Sequence, residues 1–513
     1  MEPGTTLQIR LPDTTLLASA PSSILNNLFV FSPELVLVGI LVFLFLFDAL
    51  FPKARSGFIP LIVVVIGCIW GAWDSVMVSS VPGPAFYGMI ANDAWTLFFR
   101  LFFFFSCAAG LYVAYGSKEV ELKSRSEFSM LLVCVTFGLS LMAISTNVLL
   151  LYMGIETVSI VSFVMAGFAR ENLRSNEASL KYLVFGALSS ALMLYGFSLL
   201  YGYTGSLQYQ EIAKGLAQNS ANPPFFILLA LVMIYAGFAY KISAFPLHFW
   251  TPDVYEGSPT PVATFFSVGP KAAGFAALIR FVLVVLGTKS GEGQWTLFAQ
   301  NILLPAVAAI SAITMIVGNL SALAQTSAKR ILAYSSIAHV GYMLMGLVTL
   351  NRTGLSAILF YLVVYCAMNV GAFWVVSVVS NIRGRDDLDA FRGMGWTNPV
   401  LGVCMGIFLF SLTGIPLFGG FIGKFLLFGA ILQTPGFLWL ALLGVLNSVV
   451  SLYYYLKILK AMWLDRPTKA DLGVPALSLY HAVGIIGLAI PTILLGLFFS
   501  PVLRFVEYSV SNF

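Results

Sequence analysis

Two apolar segments of this sequence each carry a lysine close to a proline. In the first, Lys241 precedes Pro246 by five residues, and in the second, Lys424 follows Pro416 by eight. A proline inside a helix removes an N–H donor and leaves a carbonyl unpaired, which hydrocarbon does not tolerate unless the segment is packed in protein or lines a watery cavity. Broken helices in corresponding positions of two halves are typical of ion and substrate transporters. The two segments therefore predict a membrane protein that moves charge.

Of the ionisable residues inside the predicted membrane spans, six, each on a different helix, are candidates for a buried relay. A single charge at the membrane centre costs from ~3 kcal/mol on insertion scales to over ~10 kcal/mol in simulations. These groups must therefore be paired, hydrated or partly neutral, and a lysine close to neutrality can take up and release protons. We expect a proton relay formed by Glu156, Lys181, Lys241, Lys271, His339 and Lys424.

Each of these residues could instead have a structural role. Lys181 lies toward the end of its span and could extend to the surface. Glu156 and Lys181 could form a purely structural ion pair, because they are 25 residues apart around a predicted helix hairpin. A turn near Phe168 would place Glu156 and Lys181 at the same depth in the membrane. A loop centred nearer Leu173 leaves Lys181 closer to the surface. His339 could be a neutral core histidine with a backbone partner.

Polar residues just beyond the first break could form the mouth of a path toward Lys241. Asp253 and Glu256 could gather protons there, or they could be ordinary loop acids. His248 lies two residues after Pro246 and could link that mouth to Lys241. His248, Asp253 and Glu256 are therefore possible proton-entry residues.

The composition excludes a soluble globular domain. The 513 residues are 59% hydrophobic and 10% charged, with a mean hydropathy of +0.92, which is typical of a polytopic membrane protein. The apolar runs predict an all-α protein with about fourteen transmembrane helices. The predicted spans are 33–51, 58–79, 92–115, 127–145, 147–169, 177–203, 224–249, 260–286, 297–325, 330–350, 354–380, 398–432, 436–463 and 476–500.

The distribution of loop charges predicts the orientation of the chain. Of the 27 lysines and arginines, 14 are predicted on the side of the first connection, 5 on the opposite side and 8 within spans. The positive-inside rule then puts both termini on the lumenal or periplasmic side. The polar segment 1–31 lacks the basic region of a cleaved signal peptide. Ser32, Pro33 and Glu34 predict the start of the first helix, with the serine as its cap.

The two breaks also indicate an internal repeat. Pro246 and Pro416 lie 170 residues apart, and each falls in the fourth of five consecutive spans, in segments 127–286 and 297–463. An odd number of spans per repeat implies that the second copy is inverted. Segment 32–126 supplies three spans before the repeats, and segment 464–513 supplies one span after them.

The sequence has no motif for a cofactor, a metal or a nucleic acid. The five cysteines are isolated within spans and none forms a C-x-x-C pair, which argues against iron–sulfur, zinc and disulfide frameworks. There is no P-loop, no dinucleotide fingerprint and no basic block interleaved with aromatic residues. We therefore expect this chain to bind no cofactor, metal or nucleic acid.

Three stretches of the chain resemble the antiporter-like membrane subunits of respiratory complex I and its photosynthetic relatives. They are Lys241 to Pro261, the run from Lys329 to Ser336, and Gly414 to Phe425, and the resemblance covers essentially the whole chain. It implies two inverted five-helix repeats, with the seventh and twelfth helices broken, in one proton-translocating unit of a multisubunit membrane arm. Flavin, iron–sulfur clusters and quinone would lie in partner subunits, and this chain would contact lipids and other membrane-arm subunits.

The resemblance also implies roles for the buried residues. Glu156 and Lys181 would form a modulating pair, Lys241 would be the central proton carrier, Lys271 the connector and Lys424 the exit lysine, where some relatives have glutamate. The likeness is greatest to subunit 2 of the cyanobacterial and plastid NAD(P)H-quinone oxidoreductases. That version implies a plastoquinone acceptor and a thylakoid membrane.

Three hypotheses for function follow. The first is a proton-translocating subunit driven by quinone reduction in other subunits, and hence part of an enzyme without a redox centre of its own. The second is a subunit of a multisubunit cation/proton antiporter, although the sequence has no acid cluster at a break that would bind sodium. The third is a membrane scaffold that conducts nothing, in which the buried lysines are structural.

Overall fold

The computed structural model describes residues 24–51, 56–217, 224–291, 293–466, 476–511 and 513, and most of this part is helical. Two short antiparallel hairpins pair β1 (Gly83–Ala85) with β2 (Ile90–Asn92) and β3 (Gly287–Gly291) with β4 (Gln294–Leu297). The helices are α1 (Ile24–Val30), α2 (Ser32–Leu50), α3 (Ile59–Val78), α4 (Ala94–Gly116), α5 (Arg125–Ile144), α6 (Val148–Ala166), α7 (Leu173–Thr204), α8 (Tyr209–Ala217), α9 (Phe225–Ile242), α10 (Trp250–Gly257), α11 (Thr260–Phe281), α12 (Gln300–Leu323), α13 (Ala328–Val348), α14 (Arg352–Arg383), α15 (Met394–Thr397), α16 (Pro399–Thr413), α17 (Gly419–Leu432), α18 (Leu438–Trp463), α19 (Leu479–Leu497) and α20 (Ser500–Val510).

The predicted all-α polytopic fold is confirmed. Thirteen helices of the described chain are long and apolar enough to cross a membrane, or fourteen if a bent pair that ends in α16 is counted as one span. Both predicted breaks are present. Helix α9 ends at Ile242 and the chain resumes as α10, and helix α16 ends at Thr413 and the chain resumes as α17.

The connections between helices lie on two opposite faces of the bundle. On one face Asn147 bridges to Gln208, and on the other Ser327 bridges to Asp387. We call the second face the basic face, because it carries the larger share of the lysines and arginines in described loops. Which side of the membrane each face meets stays a prediction. Of the residues used for that prediction, Arg10, Lys53, Arg55 and Lys469 lie outside the described residues, as does segment 1–23.

Three helices form the centre of the bundle. In α11, α13 and α14, 94% of the most apolar stretch is buried, compared with 28% in α2 and 22% in α19. The outer helices turn leucine and phenylalanine side chains outward, as expected for a surface in contact with lipid. Lys271 on α11 and His339 on α13 therefore lie where the surrounding protein shields them best.

The helices form two groups of five crossings. The first group is α5, α6, α7, α9 with α10, and α11, and the second is α12, α13, α14, α16 with α17, and α18. In each group the fourth crossing is broken. The first broken crossing runs toward the basic face and the second runs away from it, as inverted copies require. The limits 127–286 and 297–463 stay predictions.

The first crossing begins at Ser32 as predicted, but the predicted serine cap is wrong. The cap position belongs to Phe31, and the Ser32 hydroxyl instead donates to the carboxylate of Asp74. Glu34 is buried and accepts two hydrogen bonds of 2.8 Å from Arg100. The Ser140 hydroxyl also donates to Glu34, at 2.5 Å. The predicted start motif therefore anchors α2 to α4 and α5.

A second buried ion pair ties α4 to α11. Asp93 caps α4 by accepting from the backbone N–H of Thr96 at 2.8 Å, and it receives two hydrogen bonds from Arg280, at 2.7 and 2.9 Å. Burial alone would raise the pKa of Asp93, but Arg280 and Thr96 hold it below its ordinary value. The pair therefore stabilises the fold above the usual aspartate pKa, and that stabilisation is lost as the pH falls through the lowered value.

We predict that Arg100→Met lowers the free energy of unfolding by ~3–5 kcal/mol, because it leaves the Glu34 carboxylate buried and unpaired. Denaturant unfolding in mild detergent measures the loss. The double variant Glu34→Gln/Arg100→Met should recover part of it, since no buried charge remains. The control is Glu211→Gln, whose partner Lys214 has a side chain that is 71% exposed. A loss in Arg100→Met no larger than in this control would contradict the prediction.

Candidate functional site

The first break is held by hydrogen bonds from neighbouring protein groups. Helix α9 ends where Ser243 adopts a left-handed conformation, with φ of 64°. The carbonyl of Phe245 accepts from the Tyr235 hydroxyl at 2.9 Å, and the Phe245 N–H donates to the Thr314 hydroxyl at 3.1 Å. Lys241 lies in the last turn of α9, is buried, and donates from Nζ to the Ser159 hydroxyl at 2.8 Å.

The second break brings two half-helices into close contact. Gly414 ends α16 with φ of 92°, and a Cβ at Gly420 would lie only 1.8 Å from the Ser411 carbonyl oxygen. Glycine is therefore required at position 420. Lys424, in α17, reaches back to the end of α16, where its Nζ donates to the Thr413 carbonyl at 2.8 Å.

The two break lysines occupy comparable electrostatic positions. The C-terminal end of a helix carries a partial negative charge that favours a cation. Lys241 lies in the last turn of its half-helix, and the Lys424 ammonium group binds the last carbonyl of the preceding half-helix. The lysine lies before the proline in one copy and after it in the other. In both copies, however, the lysine lies at the C-terminal end of the first half-helix.

Lys271 and His339 lie between the two breaks. Lys271 Nζ donates to the Ser336 hydroxyl at 2.6 Å. His339, three residues after Ser336 on α13, contacts the Tyr361 hydroxyl through Nδ1 at 2.6 Å and the Tyr455 hydroxyl through Nε2 at 3.2 Å. The ring nitrogens therefore meet side-chain hydroxyls, whereas the structural alternative for His339 predicted a backbone partner.

Hydroxyl groups also surround Lys424. The Tyr342 ring lies 4.7 Å below Lys424 Nζ, and the Tyr342 hydroxyl accepts from Ser448 at 3.3 Å. Lys424 Nζ donates to the same Ser448 hydroxyl at 3.1 Å. The sequence prediction missed these hydroxyls because serine and tyrosine are common in membrane helices. The spacing of Ser335, His339 and Tyr342, which puts them on one helix face, was the available signal.

The predicted ion pair between Glu156 and Lys181 is not formed in this structure, which describes both residues. The Ser179 hydroxyl donates to the Phe163 carbonyl at 2.7 Å, which centres the helix hairpin near residue 171. Glu156 is therefore deeper than Lys181, as in the second alternative considered for the turn. Glu156 accepts a hydrogen bond from Ser190 and acts electrostatically on Lys241.

Lys181 instead belongs to an ionic cluster at the basic face. Its side chain is 40% exposed and bonds to Asp253 at 2.7 Å and Glu177 at 2.8 Å. Arg330 Nη1 donates to Asp253 at 2.9 Å and to Glu256 at 2.8 Å. The cluster lines an open cavity of about 310 Å³. Both predicted entry acids therefore lie at a mouth on this face, tied into ion pairs.

The cations of this cluster keep Asp253 ionised. Burial alone would raise the pKa of Asp253, but Lys181 and Arg330 hold it below its ordinary value. The ion pairs therefore contribute their stability above the usual aspartate pKa and lose it as the pH falls through the lowered value. At neutral pH these ion pairs connect α7, α10 and α13.

His248 lies in the first break and is buried, with its ring centre 4.2 Å from that of Phe249. Its Nδ1 has no hydrogen-bond partner among the described residues, and within the same residues no hydrogen bond joins it to Lys241. The structure thus places His248 beside the predicted path without connecting it. Its entry role stays a prediction.

Together these groups define a class of protein. Buried basic groups on the two broken crossings and on two of the central helices each bind hydroxyls or a carbonyl, and an ionic cluster lines a cavity at one face. Such a chain can bind protons and transfer them across the apolar core of a membrane. The fold and the site therefore define a polytopic membrane protein of the ion-translocating class.

Comparison with known proteins gives the family. Residues 145–451 match the family model described as NADH:quinone oxidoreductase/Mrp antiporter, transmembrane region. NADH-quinone oxidoreductase subunit N 2 of Sorangium cellulosum is 42% identical over 501 residues, covering 94% of this chain and 97% of the relative. The chain belongs to the NADH:quinone oxidoreductase/Mrp antiporter family, and the predicted resemblance is confirmed.

Two further similarities extend over nearly the whole chain. NAD(P)H-quinone oxidoreductase subunit 2 of a Picosynechococcus strain is 38% identical, covering 94% of this chain and 91% of the relative. A chain of respiratory complex I from Thermus thermophilus, solved with bound aureothin, has a TM-score of 0.74 and 31% identity, covering 92% of this chain and 98% of that one.

We predict that His339→Phe slows proton transfer between the two breaks by ~100-fold, the lower end of what a positioned acid–base group contributes. The ring volume is nearly preserved but both nitrogen contacts are lost. Proton uptake by vesicles that contain the assembled complex measures the effect. The matched control is His481→Phe, which replaces a histidine bonded to Trp374 near the basic face. Equal proton uptake in the two variants would contradict the prediction.

Proposed function

We propose that this chain is a proton-translocating membrane-arm subunit of a quinone oxidoreductase complex of the complex I type. The observation that carries the proposal is the buried series Lys241, Lys271, His339 and Lys424, whose nitrogen atoms bond to hydroxyls and a carbonyl. Membership of the family and the names of the relatives support the same function.

The geometry suggests how protons would move. Protons enter at the ionic mouth on the basic face, which the charge distribution assigns to the cytosolic side. Lys241 takes up a proton, and the Glu156 carboxylate stabilises its charged form through space. Transfer then continues through Lys271 and His339 to Lys424, from which the proton leaves toward the opposite face.

The energy for this transfer would come from outside the chain. Moving one charge against 100 mV costs ~2.3 kcal/mol, and we assign its source to quinone reduction in partner subunits. The flavin, iron–sulfur clusters and quinone site belong to those subunits in this proposal. The role of this chain is to bind, hold and release protons.

A narrower proposal concerns the electron donor and acceptor. The 38% identity to NAD(P)H-quinone oxidoreductase subunit 2 of a Picosynechococcus strain supports a complex that uses NAD(P)H. The narrower proposal adds ferredoxin as a possible donor, plastoquinone as the acceptor and the thylakoid membrane as the location. The higher identity to the Sorangium subunit N favours an NADH-dependent respiratory complex. Rates of plastoquinone and ubiquinone reduction by the purified complex, with NADH and NADPH compared, separate the two versions.

We predict that Lys241→Met lowers the proton uptake that this chain carries, because one of its proton carriers is lost, while quinone reduction in uncoupled vesicles is retained. Methionine keeps the length of the side chain but cannot carry a proton. The matched control is Lys460→Met, whose lysine side chain is 65% exposed and which should pump normally.

Each alternative hypothesis has its own outcome in this experiment. Sodium-dependent transport by the wild-type complex would favour the cation/proton antiporter. Loss of assembly on native gels in Lys241→Met, without any assembled but uncoupled complex, would favour the scaffold. Normal proton uptake in Lys241→Met would contradict the proposed role of the lysine outright.

A further inference from the structure

One face of α11 carries a row of hydroxyl groups that leads to Lys271. Thr260, Thr264 and Ser267 precede Lys271 by eleven, seven and four residues, which places all four on one helix face. All four are buried. At 1.5 Å per residue the row is ~16 Å long, about half the thickness of a hydrocarbon core of ~30 Å. We call Thr260, Thr264 and Ser267 the hydroxyl row.

The hydroxyl row begins at a second polar cavity on the basic face, which adjoins the first and shares Arg174, Glu256 and Gly257 with its lining. This cavity has a volume of about 500 Å³, and its lining includes Glu119, Lys329 and Asp386. Glu119 accepts hydrogen bonds from the backbone N–H of Thr260 and, at 3.0 Å, from its hydroxyl. Lys329 Nζ lies 3.8 Å from Glu119 and 3.9 Å from Asp386. A carboxylate that faces the cavity is thus bonded directly to the first hydroxyl of the row.

Asp386 in this cavity is suited to collecting protons. Burial raises the pKa of Asp386, Lys329 opposes the rise, and the nearby Glu256 and Glu119 add to it. Asp386 therefore binds a proton more readily than Asp253, which its cations keep ionised. The cavity at Asp386 and the mouth at Asp253 therefore differ in how readily their aspartates bind a proton.

A buried amide indicates that water reaches the end of the hydroxyl row nearest to Lys271. Asn369 on α14 donates to the Ser267 hydroxyl at 2.6 Å. Its other amide atom, Oδ1, is buried and has no hydrogen-bond partner among the described residues. A buried polar atom without a protein partner is usually bonded to water. The unpartnered oxygen therefore indicates a hydrated spot one turn from Lys271.

The spacing of the hydroxyl row also requires water. Thr264 and Ser267 donate to the Thr260 and Thr264 carbonyls, each at 2.7 Å. Side chains one turn apart on a helix are ~5–6 Å from each other, too far for a direct hydrogen bond. One water molecule between neighbouring hydroxyls would bond to both.

We propose that Lys271 is loaded with protons from the basic face along the hydroxyl row, by a route that starts at Glu119 rather than at the Asp253–Arg330 mouth. A proton from bulk water binds a carboxylate of the second cavity. Each hydroxyl and water then accepts one proton and releases another, so that none of them is changed, and the neutral amine of Lys271 becomes an ammonium group. This proposal rests on the proposed function of the chain in proton translocation.

The first test removes the middle of the row. In Thr264→Val/Ser267→Ala the shapes are nearly kept and the hydroxyls are lost. We expect a loss of proton uptake per quinone reduced in vesicles, with unchanged quinone reduction when the vesicles are uncoupled. The matched control is Thr492→Val, since Thr492 is also buried and bonds to a carbonyl four residues back, at 2.8 Å. Uptake equal to that of the control would overturn the proposal.

The second test measures water access without using pumping as the readout. In the intact complex, Thr264→Cys and Ser267→Cys should react with a small cationic methanethiosulfonate added at the basic face, and Thr492→Cys should not. The five native cysteines give the background rate in the wild type. If the thiols at positions 264 and 267 react no faster than the thiol at position 492, the proposal is overturned. This test uses single cysteine variants, so its result counts even when the double variant of the first test fails to assemble.

The lysine variants and the row variant together distinguish failure of the proposed function from failure of the loading route. If Lys241→Met and Lys271→Met pump normally, the proposed function is wrong and the loading route falls with it. If both lysine variants lose proton uptake while the row variant keeps it, only the loading route is wrong.

Discussion

The structure depends on how charged groups are solvated inside an apolar bundle. Among the described residues, no carboxylate forms an ion pair with Lys241, Lys271 or Lys424. Their ammonium groups bond to hydroxyls and to a helix-terminal carbonyl instead. A hydroxyl can accept from an ammonium group or donate to a neutral amine. The sites therefore tolerate both protonation states, whereas an ion pair would hold each lysine in its charged form.

The breaks in the helices serve this requirement. A continuous helix uses its carbonyls internally, but a broken one leaves the last carbonyls of its first half free to face a cation. Lys424 binds such a carbonyl, and Gly420 permits the approach of the two halves. The ion pairs lie away from these sites: Glu34–Arg100 ties α2 to α4, and Asp93–Arg280 ties α4 to the central helix α11. Fixed charges hold the bundle together, and the lysines that can change state lie apart from them.

Much of this arrangement was predictable because the strongest signals are local. Apolar length identifies a span, and Pro246 and Pro416 identify the breaks. The partners of the buried groups were not predictable, since they depend on which faces of distant helices meet. Lys181 pairs with Asp253, which is 72 residues away, because the hairpin turns near residue 171. The two hydroxyls that contact His339 come from α14 and α18, and no spacing in the sequence relates Tyr361 or Tyr455 to it.

The central claim is that the lysines at the two breaks act in series on one proton path. The most direct test compares proton uptake per quinone reduced in Lys241→Met, Lys424→Met and the double variant, with assembly checked for each. Residues on one path give non-additive losses. A series arrangement predicts that the double variant loses no more than Lys424→Met alone, because Lys424 is the common exit for protons from Lys241 and Lys271. Losses that add in the double variant would show two independent paths and contradict it.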